Sequence, residues 1–287
     1  MTTPHPTRSR QLRSNTDDRT TADKPQWLRP ACGLLAMSAL LAGCGSGAGA
    51  NDTTTTTSSS SSTTTTQQSA NGWWNGTVAT SSGSRNLALL ITDTGRFYGL
   101  YSTNGSLAGM MTGVQTTSGS SLTTSGGLDY PIAGGSTTTL TLTGTVTTKS
   151  SLTGTLTESG SSATVSTTYD TAYDTAVTSS NLSASYTVTL NTLSTSSLPY
   201  TLTRVSGSTT QYTLASTDST NACQFTVNLT PHSPDGYYDA TFATQSGCSN
   251  QYTAIGIGLP TSSTTLVLAA ILPDQSSMLL GTATPQN

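Results

Sequence analysis

Residues 138–158 read TTLTLTGTVTTKSSLTGTLTE, and the period-two alternation of this stretch decides the fold class. Apolar residues and glycines share one parity, while threonine or serine fills most of the other. The first set is Leu140, Leu142, Gly144, Val146, Leu152, Gly154 and Leu156. Because successive side chains of a strand face opposite sides of a sheet, this pattern predicts half-buried β-strands.

The same alternation recurs throughout residues 71–287, where no window of a dozen residues indicates an amphipathic helix. Further strands are predicted around Tyr186, Val188 and Leu190; Phe225, Val227 and Leu229; and Ala240 and Phe242. Turn signals separate these runs, among them Asp93-Thr94-Gly95, Asn104-Gly105 and Ser233-Pro234-Asp235-Gly236. Threonine-rich strands joined by short turns predict an all-β protein.

A faint internal duplication divides this region. Gly72-Trp73-Trp74-Asn75-Gly76-Thr77-Val78 opens one half and Leu182-Ser183-Ala184-Ser185-Tyr186-Thr187-Val188 the other, with room for about eight strands in each. We therefore predict two tandem antiparallel β modules, residues 71–175 and 176–287, each a barrel or barrel-like sandwich. Residues 169–174 form the predicted connector, whose tyrosines could pack between the halves. The alternative is one large barrel or sandwich.

The chain begins with a segment of a different kind. The uncharged run ACGLLAMSALLA (residues 31–42) is too short to span a bilayer, and it leads into Leu41-Ala42-Gly43-Cys44. This segment resembles the signal peptide and lipobox of bacterial, and specifically proteobacterial, lipoproteins. The resemblance implies removal of residues 1–43 and lipidation of Cys44, which anchors the protein to a membrane. An ordinary secretory signal with an incidental cysteine is the alternative.

A low-complexity segment follows the predicted anchor. Residues 45–70 are almost entirely serine, threonine, glycine and alanine, with no aromatic and no large aliphatic residue. Such a composition buries too little apolar surface to offset the entropy of ordering. We predict that residues 44–70 are the lipid anchor and a disordered Ser/Thr tether. Gly45 after the cysteine resembles lipoproteins sent to the outer membrane, with the domain on the periplasmic face or at the cell surface.

Charge excludes some partners of the mature chain. Beyond residue 43 ten acidic residues face four basic ones, Arg85, Arg96, Lys149 and Arg204, so the net charge is about −6. Four scattered cations cannot track a phosphate backbone, and no polybasic membrane-binding face is present. The composition therefore predicts no nucleic-acid partner and leaves an unknown protein as the expected partner.

Two cysteines remain in the predicted β region, Cys223 and Cys248. An exported protein favours their pairing in a disulfide. A reactive or metal-binding thiol pair is the competing interpretation, but the chain has no C-x-x-C spacing and no histidine close by in sequence.

The residues available for catalysis are few. The mature chain has one histidine, His232, in a proline- and glycine-rich stretch typical of an exposed turn, and one glutamate, Glu158. We interpret the aspartates as mostly turn residues, among them Asp93, Asp129, Asp218 and Asp274. No nucleophile elbow, zinc spacing or calcium loop is present. The sequence thus predicts a protein without enzymatic activity, metal or cofactor.

The first half carries a second resemblance. Residues 72–76 form a Gly-x-Trp-x-Gly-like start, and residues 95–101 read GRFYGLY. With the lipobox and tether, these features resemble surface lipoproteins built from eight-stranded β-barrels, the group that includes the factor H-binding and transferrin-binding lipoproteins. They are more similar still to uncharacterised lipoproteins with the same order of features and a cysteine pair in the second half. The resemblance implies barrel modules and transfers no binding residue.

Two hypotheses for function follow. The first is a non-enzymatic envelope lipoprotein whose loops or sheet edges bind a protein or organise the envelope. The second is a lipocalin-like carrier of a small apolar ligand, with Trp73, Trp74 and Tyr98 as candidate contacts. Adjacent tryptophans face opposite sides of a strand, so one of the pair belongs to the core. A sealed interior favours the first hypothesis; a cavity lined by Trp74, Leu89 and Tyr98 favours the second.

Overall fold

Strands adjacent in sequence pair in antiparallel fashion and close into two eight-stranded barrels in the computed structural model, which describes residues 66–219, 223–247, 253–260 and 265–286. Barrel 1 contains β1 (Gly72–Thr80), β2 (Gly83–Ile91), β3 (Arg96–Thr103), β4 (Ser106–Ser118), β5 (Ser121–Pro131), β6 (Thr138–Thr147), β7 (Ser151–Glu158) and β8 (Ser161–Asp170). Barrel 2 contains β9 (Ser185–Asn191), β10 (Leu198–Arg204), β11 (Gln211–Ser216), β12 (Gln224–His232), β13 (Tyr237–Ser246), β14 (Thr253–Pro260), β15 (Leu266–Ile271) and β16 (Met278–Pro285).

The all-β prediction and the prediction of two tandem barrel modules are confirmed, and the alternative of one large barrel is wrong. β1 pairs with β8 and β9 pairs with β16, so each described strand has two neighbours. Short 3-10 helices at Thr171–Asp174 and Ser179–Asn181 connect the barrels. Within the described residues, no helix is long and apolar enough to cross a membrane.

The apolar residues that alternate within residues 138–158 form part of the inner wall of barrel 1. Leu140, Leu142, Val146, Leu152 and Leu156 are all buried in its core. The two glycines of the pattern, Gly144 and Gly154, are directly paired between β6 and β7. A Cβ on Gly144 would lie 2.2 Å from the Thr153 carbonyl oxygen, so only glycine allows the strands to approach so closely here.

Some strands depart from half burial. Residues 87–91 of β2 and all of Leu266–Ile271 in β15 are buried on both faces. Their outward side chains meet in a core between the barrels, which we call the inter-barrel core and which includes Leu90, Leu100, Met110, Val267 and Leu280. The barrels therefore pack side by side through apolar outer walls.

Polar contacts and the connector reinforce this junction. The Tyr130 hydroxyl donates to the Gln275 carbonyl oxygen at 3.0 Å, and the Gly135 N–H donates to the Leu193 carbonyl oxygen at 2.9 Å. Tyr173 stacks on Tyr237 with ring centroids 6.2 Å apart and belongs to the inter-barrel core. The prediction that connector tyrosines pack between the halves is confirmed for Tyr173.

The last residues of the predicted tether belong to barrel 1, so the tether's predicted end at Ala70 is wrong. The Gln67 side-chain amide donates to the Thr117 carbonyl oxygen at 2.9 Å, and the Thr148 N–H donates to Gln68 Oε1 at 2.9 Å. Ala70 is buried and its carbonyl accepts the Trp74 indole N–H at 2.9 Å. The side-chain amides of Gln67 and Gln68 bind this segment to the β4–β5 and β6–β7 turns. The low apolar content of the segment does not reveal this source of order.

Candidate functional site

The interior of barrel 2 is filled by large side chains. Its inward-facing aromatic residues are at most 3% exposed: Tyr186, Tyr200, Tyr212, Phe225, Tyr238 and Phe242. Leucine, valine and alanine from the other strands complete the same cluster. The middle of this barrel is packed like an ordinary protein core, whereas Tyr186, Tyr238 and Leu266 at one of its ends also border a cavity.

Barrel 1 is filled at one end and open at the other. Trp74, Leu89, Ile91 and Phe97 fill the end at which residues 66–70 enter. At the opposite end, beside the β1–β2 and β7–β8 turns, lies a cavity of about 340 Å³, which we call the mouth cavity. Its volume lies near the lower limit of pockets that bind small molecules.

The wall of the mouth cavity combines an apolar part with a small set of charged groups. Val78, Met111, Leu156 and Ala163 supply the apolar part. The polar part includes residues from five strands and two turns. These are Arg85, Tyr101, Asp129, Glu158 and the serines at positions 81, 82, 159, 161 and 162. An apolar wall with a few converging polar groups is the usual composition of a ligand site.

Asp129 is the most unusual group in this wall. Its side chain is only 6% exposed, yet of its two oxygens only Oδ2 has a partner, the Tyr101 hydroxyl at 3.1 Å. Oδ1 has no hydrogen-bond partner among the described residues. Burial and the nearby negative charge of Glu158 raise the pKa of Asp129 to about 7. A half-satisfied buried carboxyl group is rare, and it destabilises the fold unless something else binds to it.

A β-bulge explains how Asp129 enters the barrel. The sequence-based interpretation of Asp129 as a turn residue is wrong, because it lies on β5 opposite Met111. The register between β5 and β6 shifts between Thr123 and Gly127. That shift reverses the parity of the strand, so that Leu122 and Asp129 both face inward although one position is even and the other odd.

Glu158 and Arg85 complete the electrostatics of the mouth cavity. Glu158 ends β7, and its Oε1 accepts a hydrogen bond from the Thr138 hydroxyl. The Arg85 guanidinium lies over the Tyr101 ring, 5.2 Å from its centroid. Two carboxyl groups and one guanidinium give the wall an excess of negative charge when both acids are ionised. Burial and the neighbouring Asp129 raise the pKa of Tyr101, so its hydroxyl stays protonated and remains a donor.

The residues predicted to contact a ligand are not brought together. Trp74 and Leu89 face the interior of barrel 1, whereas Trp73 and Tyr98 face the inter-barrel core. A cavity lined jointly by Trp74, Leu89 and Tyr98 is therefore a wrong prediction, since even and odd positions of β1 and β3 face opposite sides. The prediction that only one of the two tryptophans enters the barrel core is confirmed.

Trp73 borders a second cavity, also of about 340 Å³, between the connector and barrel 2. Val177, Leu182, Tyr186 and Leu266 form part of its apolar wall. The Trp73 indole N–H is buried and has no hydrogen-bond partner among the described residues. Pro260 and Thr265 also line it, and residues 261–264 lie outside the described part of the chain.

His232 lies at the barrel junction and not at either cavity. Its Nδ1 is 2.7 Å from Asp239 Oδ2, and its Nε2 is 3.6 Å from Asp93 Oδ2, across the junction in barrel 1. Burial opposes protonation, but the bond to Asp239 and the charges of Asp93 and Asp235 outweigh it and raise the pKa of His232. The side chains of both acids, Asp93 and Asp239, are more than half exposed, at 54% and 55%. A histidine bound by exposed carboxylates is an ion-pair contact and lacks the buried acid of a catalytic triad.

The cysteine predictions fall partly outside the described residues. Cys223 is buried and disulfide-bonded. Cys248, its predicted partner, and Cys44, the predicted lipidation site, lie outside the described residues, so both assignments stay predictions. In the described part of the chain, no group of three or more histidine, cysteine or acidic side chains could hold a metal ion.

Comparisons with known proteins add a distant likeness. No family model matches the sequence, and no curated protein matches it. One similar solved structure is a protein of unknown function from the DUF3598 family of Nostoc punctiforme, 10% identical over 76% of this chain and 96% of that chain, with a TM-score of 0.28. A likeness at that TM-score does not bear on ligand or activity.

Proposed function

We propose that this chain is a non-enzymatic outer-membrane lipoprotein, anchored through Cys44, that binds a small molecule in the mouth cavity of barrel 1. The observation that carries the binding proposal is Asp129, a residue only 6% exposed that lines a 340 Å³ cavity and has one carboxyl oxygen without a hydrogen-bond partner among the described residues. A ligand that bonds to this group would offset the cost of burying it.

The arrangement of the chain supports display of this cavity away from the anchor. The described residues begin at the filled end of barrel 1, where Gln67 and Gln68 bind the turns. The mouth cavity lies at the opposite end, so a tether from Cys44 would reach the protein at the end away from the cavity. This geometry resembles a lipocalin-like carrier more than a module that offers sheet edges, because both barrels are closed.

The binding proposal is tested with the full chain purified in detergent and the neutral probe 2-phenylethanol. Methyl NMR should show shifts of Met111, Val78 and Ala163, with the methyls of Leu214 in barrel 2 unchanged. Ala163→Phe places a ring in the cavity and should abolish these shifts. Absence of shifts at the three methyls, or shifts that persist in Ala163→Phe, would contradict the proposal.

The anchor is tested separately by cell fractionation. Cys44→Ala should release the protein from membranes, whereas Cys223→Ala should leave its membrane attachment unchanged and serves as the cysteine control. Continued membrane association of Cys44→Ala would contradict lipidation as the means of attachment.

The non-enzymatic part has its own test. Two carboxyl groups in one cavity also form the inventory of a glycoside hydrolase. The wild-type protein should release no nitrophenol from p-nitrophenyl glycosides. Release that disappears in both Asp129→Asn and Glu158→Gln would contradict the proposal.

A further inference from the structure

We infer that the ligand of the mouth cavity is a small organic cation, an alkylammonium group on a compact apolar body. This inference deepens the proposed function and rests on it. It follows from the placement of two carboxyl groups, one guanidinium that lies over the Tyr101 ring and an apolar wall around one cavity.

One buried acceptor in the wall of the cavity has no donor. The Tyr101 hydroxyl already donates to Asp129 Oδ2, which leaves Oδ1 without a hydrogen-bond partner among the described residues. The Arg85 guanidinium lies over the Tyr101 ring and does not reach this oxygen. A ligand that brings a donor to Asp129 is therefore favoured, and an ammonium group brings three donors and no acceptor.

Charge points the same way. Asp129 and Glu158 both line the cavity, and the charge of Glu158 disfavours ionisation of Asp129 unless a cation lies between or beside them. Charge-assisted hydrogen bonds from an ammonium group would satisfy the unpartnered oxygen of Asp129 and relieve that repulsion.

The apolar wall limits the rest of the ligand. Val78, Met111, Leu156 and Ala163 offer aliphatic and thioether contacts on the same cavity. Met111 is a flexible side chain that suits an aromatic or branched body. The small volume excludes long acyl chains, so the expected ligand class is a primary amine with one ring or a short branched chain.

The experiment compares three probes that share a phenyl body: phenethylamine, 2-phenylethanol and phenylacetate. Dissociation constants are measured by calorimetry on the full chain in detergent at pH 8. The amine should bind at least about tenfold more tightly than the alcohol, and phenylacetate most weakly. Asp129→Asn should remove the advantage of the amine while changing alcohol binding less than about threefold. Asp274→Asn, an exposed turn aspartate in barrel 2, should change neither.

The pH profile supplies a readout that a purely structural role of Asp129 would not give. Arg85, Tyr101 and Glu158 are the charged and titratable groups that act on it. With a pKa of about 7, Asp129 is about nine-tenths ionised at pH 8 and one-tenth at pH 6. The affinity for the amine should therefore fall about tenfold between these values, while that for the alcohol stays constant.

The outcomes separate the two proposals. Alcohol and amine binding equally, both lost in Ala163→Phe, would overturn the cation inference and leave the ligand cavity standing. Phenylacetate as the tightest probe would overturn the inference in favour of an anion on Arg85. No binding of any probe would overturn both the inference and the proposed function. Circular dichroism and thermal unfolding of each variant show that a loss of binding is not a loss of fold.

Discussion

Barrel 1 and barrel 2 have the same strand number and the same closure, but they differ in what occupies their inward positions. Barrel 2 places aromatic rings such as Tyr200, Tyr212 and Phe225 in its centre. Barrel 1 places its rings Trp74 and Phe97 at one end and an acid, Asp129, at an inward position of the other end. An eight-stranded barrel is just wide enough either to be filled or to hold one small ligand. The size and polarity of the side chains at inward positions therefore distinguish a packed core from a candidate site.

The largest expected effect tests this difference with one substitution in each barrel. Leu214→Ala in the packed core of barrel 2 should lower the free energy of unfolding by about 3 kcal/mol or more. Leu156→Ala should lower it by less than about 2 kcal/mol, because Leu156 already borders a cavity and has fewer contacts to lose. Urea unfolding measures both. Equal losses would mean that barrel 1 is packed as tightly as barrel 2.

The second prediction concerns the acid in barrel 1. The pKa of Asp129, about 7, lies above the value of about 3.9 in an unfolded chain. The folded protein therefore binds the proton of Asp129 more tightly than the unfolded chain does. The contribution of this proton to the free energy of unfolding is complete below about pH 4 and is lost as the pH rises through about 7. At pH 8, where wild-type Asp129 is buried and ionised, Asp129→Asn should be more stable than wild type by about 2 kcal/mol.

Thermal unfolding at two pH values checks this. The advantage of Asp129→Asn at pH 8 should shrink towards zero at pH 4.5, and Asp274→Asn should show neither gain nor pH dependence of this kind. A variant less stable than wild type at pH 8 would mean that the carboxylate is fully satisfied inside the fold, which contradicts its role as an open ligand contact.

A smaller effect separates the adjacent tryptophans. Trp73→Phe and Trp74→Phe remove a similar amount of aromatic ring. Only Trp74 donates a hydrogen bond from its indole N–H, to the Ala70 carbonyl oxygen at 2.9 Å. The Trp73 N–H is buried and unpartnered. Trp74→Phe should therefore cost about 1 kcal/mol more than Trp73→Phe in urea unfolding. If Trp73→Phe costs more than Trp74→Phe, the hydrogen bond from Trp74 to Ala70 does not hold residues 67–70 against barrel 1.

The smallest effect lies at the junction of the barrels. The raised pKa of His232 means that its ion pairs with Asp93 and Asp239 stabilise the fold fully below about pH 6.5 and lose that effect as the pH rises through the folded pKa. His232→Gln should destabilise the protein by about 0.2–1 kcal/mol at pH 5.5 and by less at pH 8. A loss that does not depend on pH would mean that stacking on Tyr237, with centroids 4.4 Å apart, dominates.

The sequence predicts the two barrels well because a strand needs only alternation and a turn. The alternation of Leu140, Leu142 and Val146 predicts a strand with one buried face, and the internal duplication predicts a second module. It does not predict how the barrels pack, since residues 87–91 and Leu266–Ile271 are uniformly apolar and do not specify which of their faces meets another barrel.

The candidate site is missed for a different physical reason. Counting in twos along β5 from Leu122 places Asp129 outside the barrel, and the extra residue of the bulge before Gly127 reverses that assignment. Gly126, with φ at +58°, is the only local signal of that bulge, and the sequence Ser125-Gly126-Gly127 is equally typical of a turn. Tyr98 fails as a ligand contact through the same rule of parity, because its neighbours Phe97 and Gly99 face inward.

A crystal structure of the protein soaked with phenethylamine would show directly whether the mouth cavity binds an organic cation. We expect density for the probe in the mouth cavity of barrel 1, with its nitrogen about 3 Å from a carboxylate oxygen of Asp129 and its ring against Met111 and Leu156. Density only in the cavity beside Trp73, with the mouth cavity holding none, would contradict it.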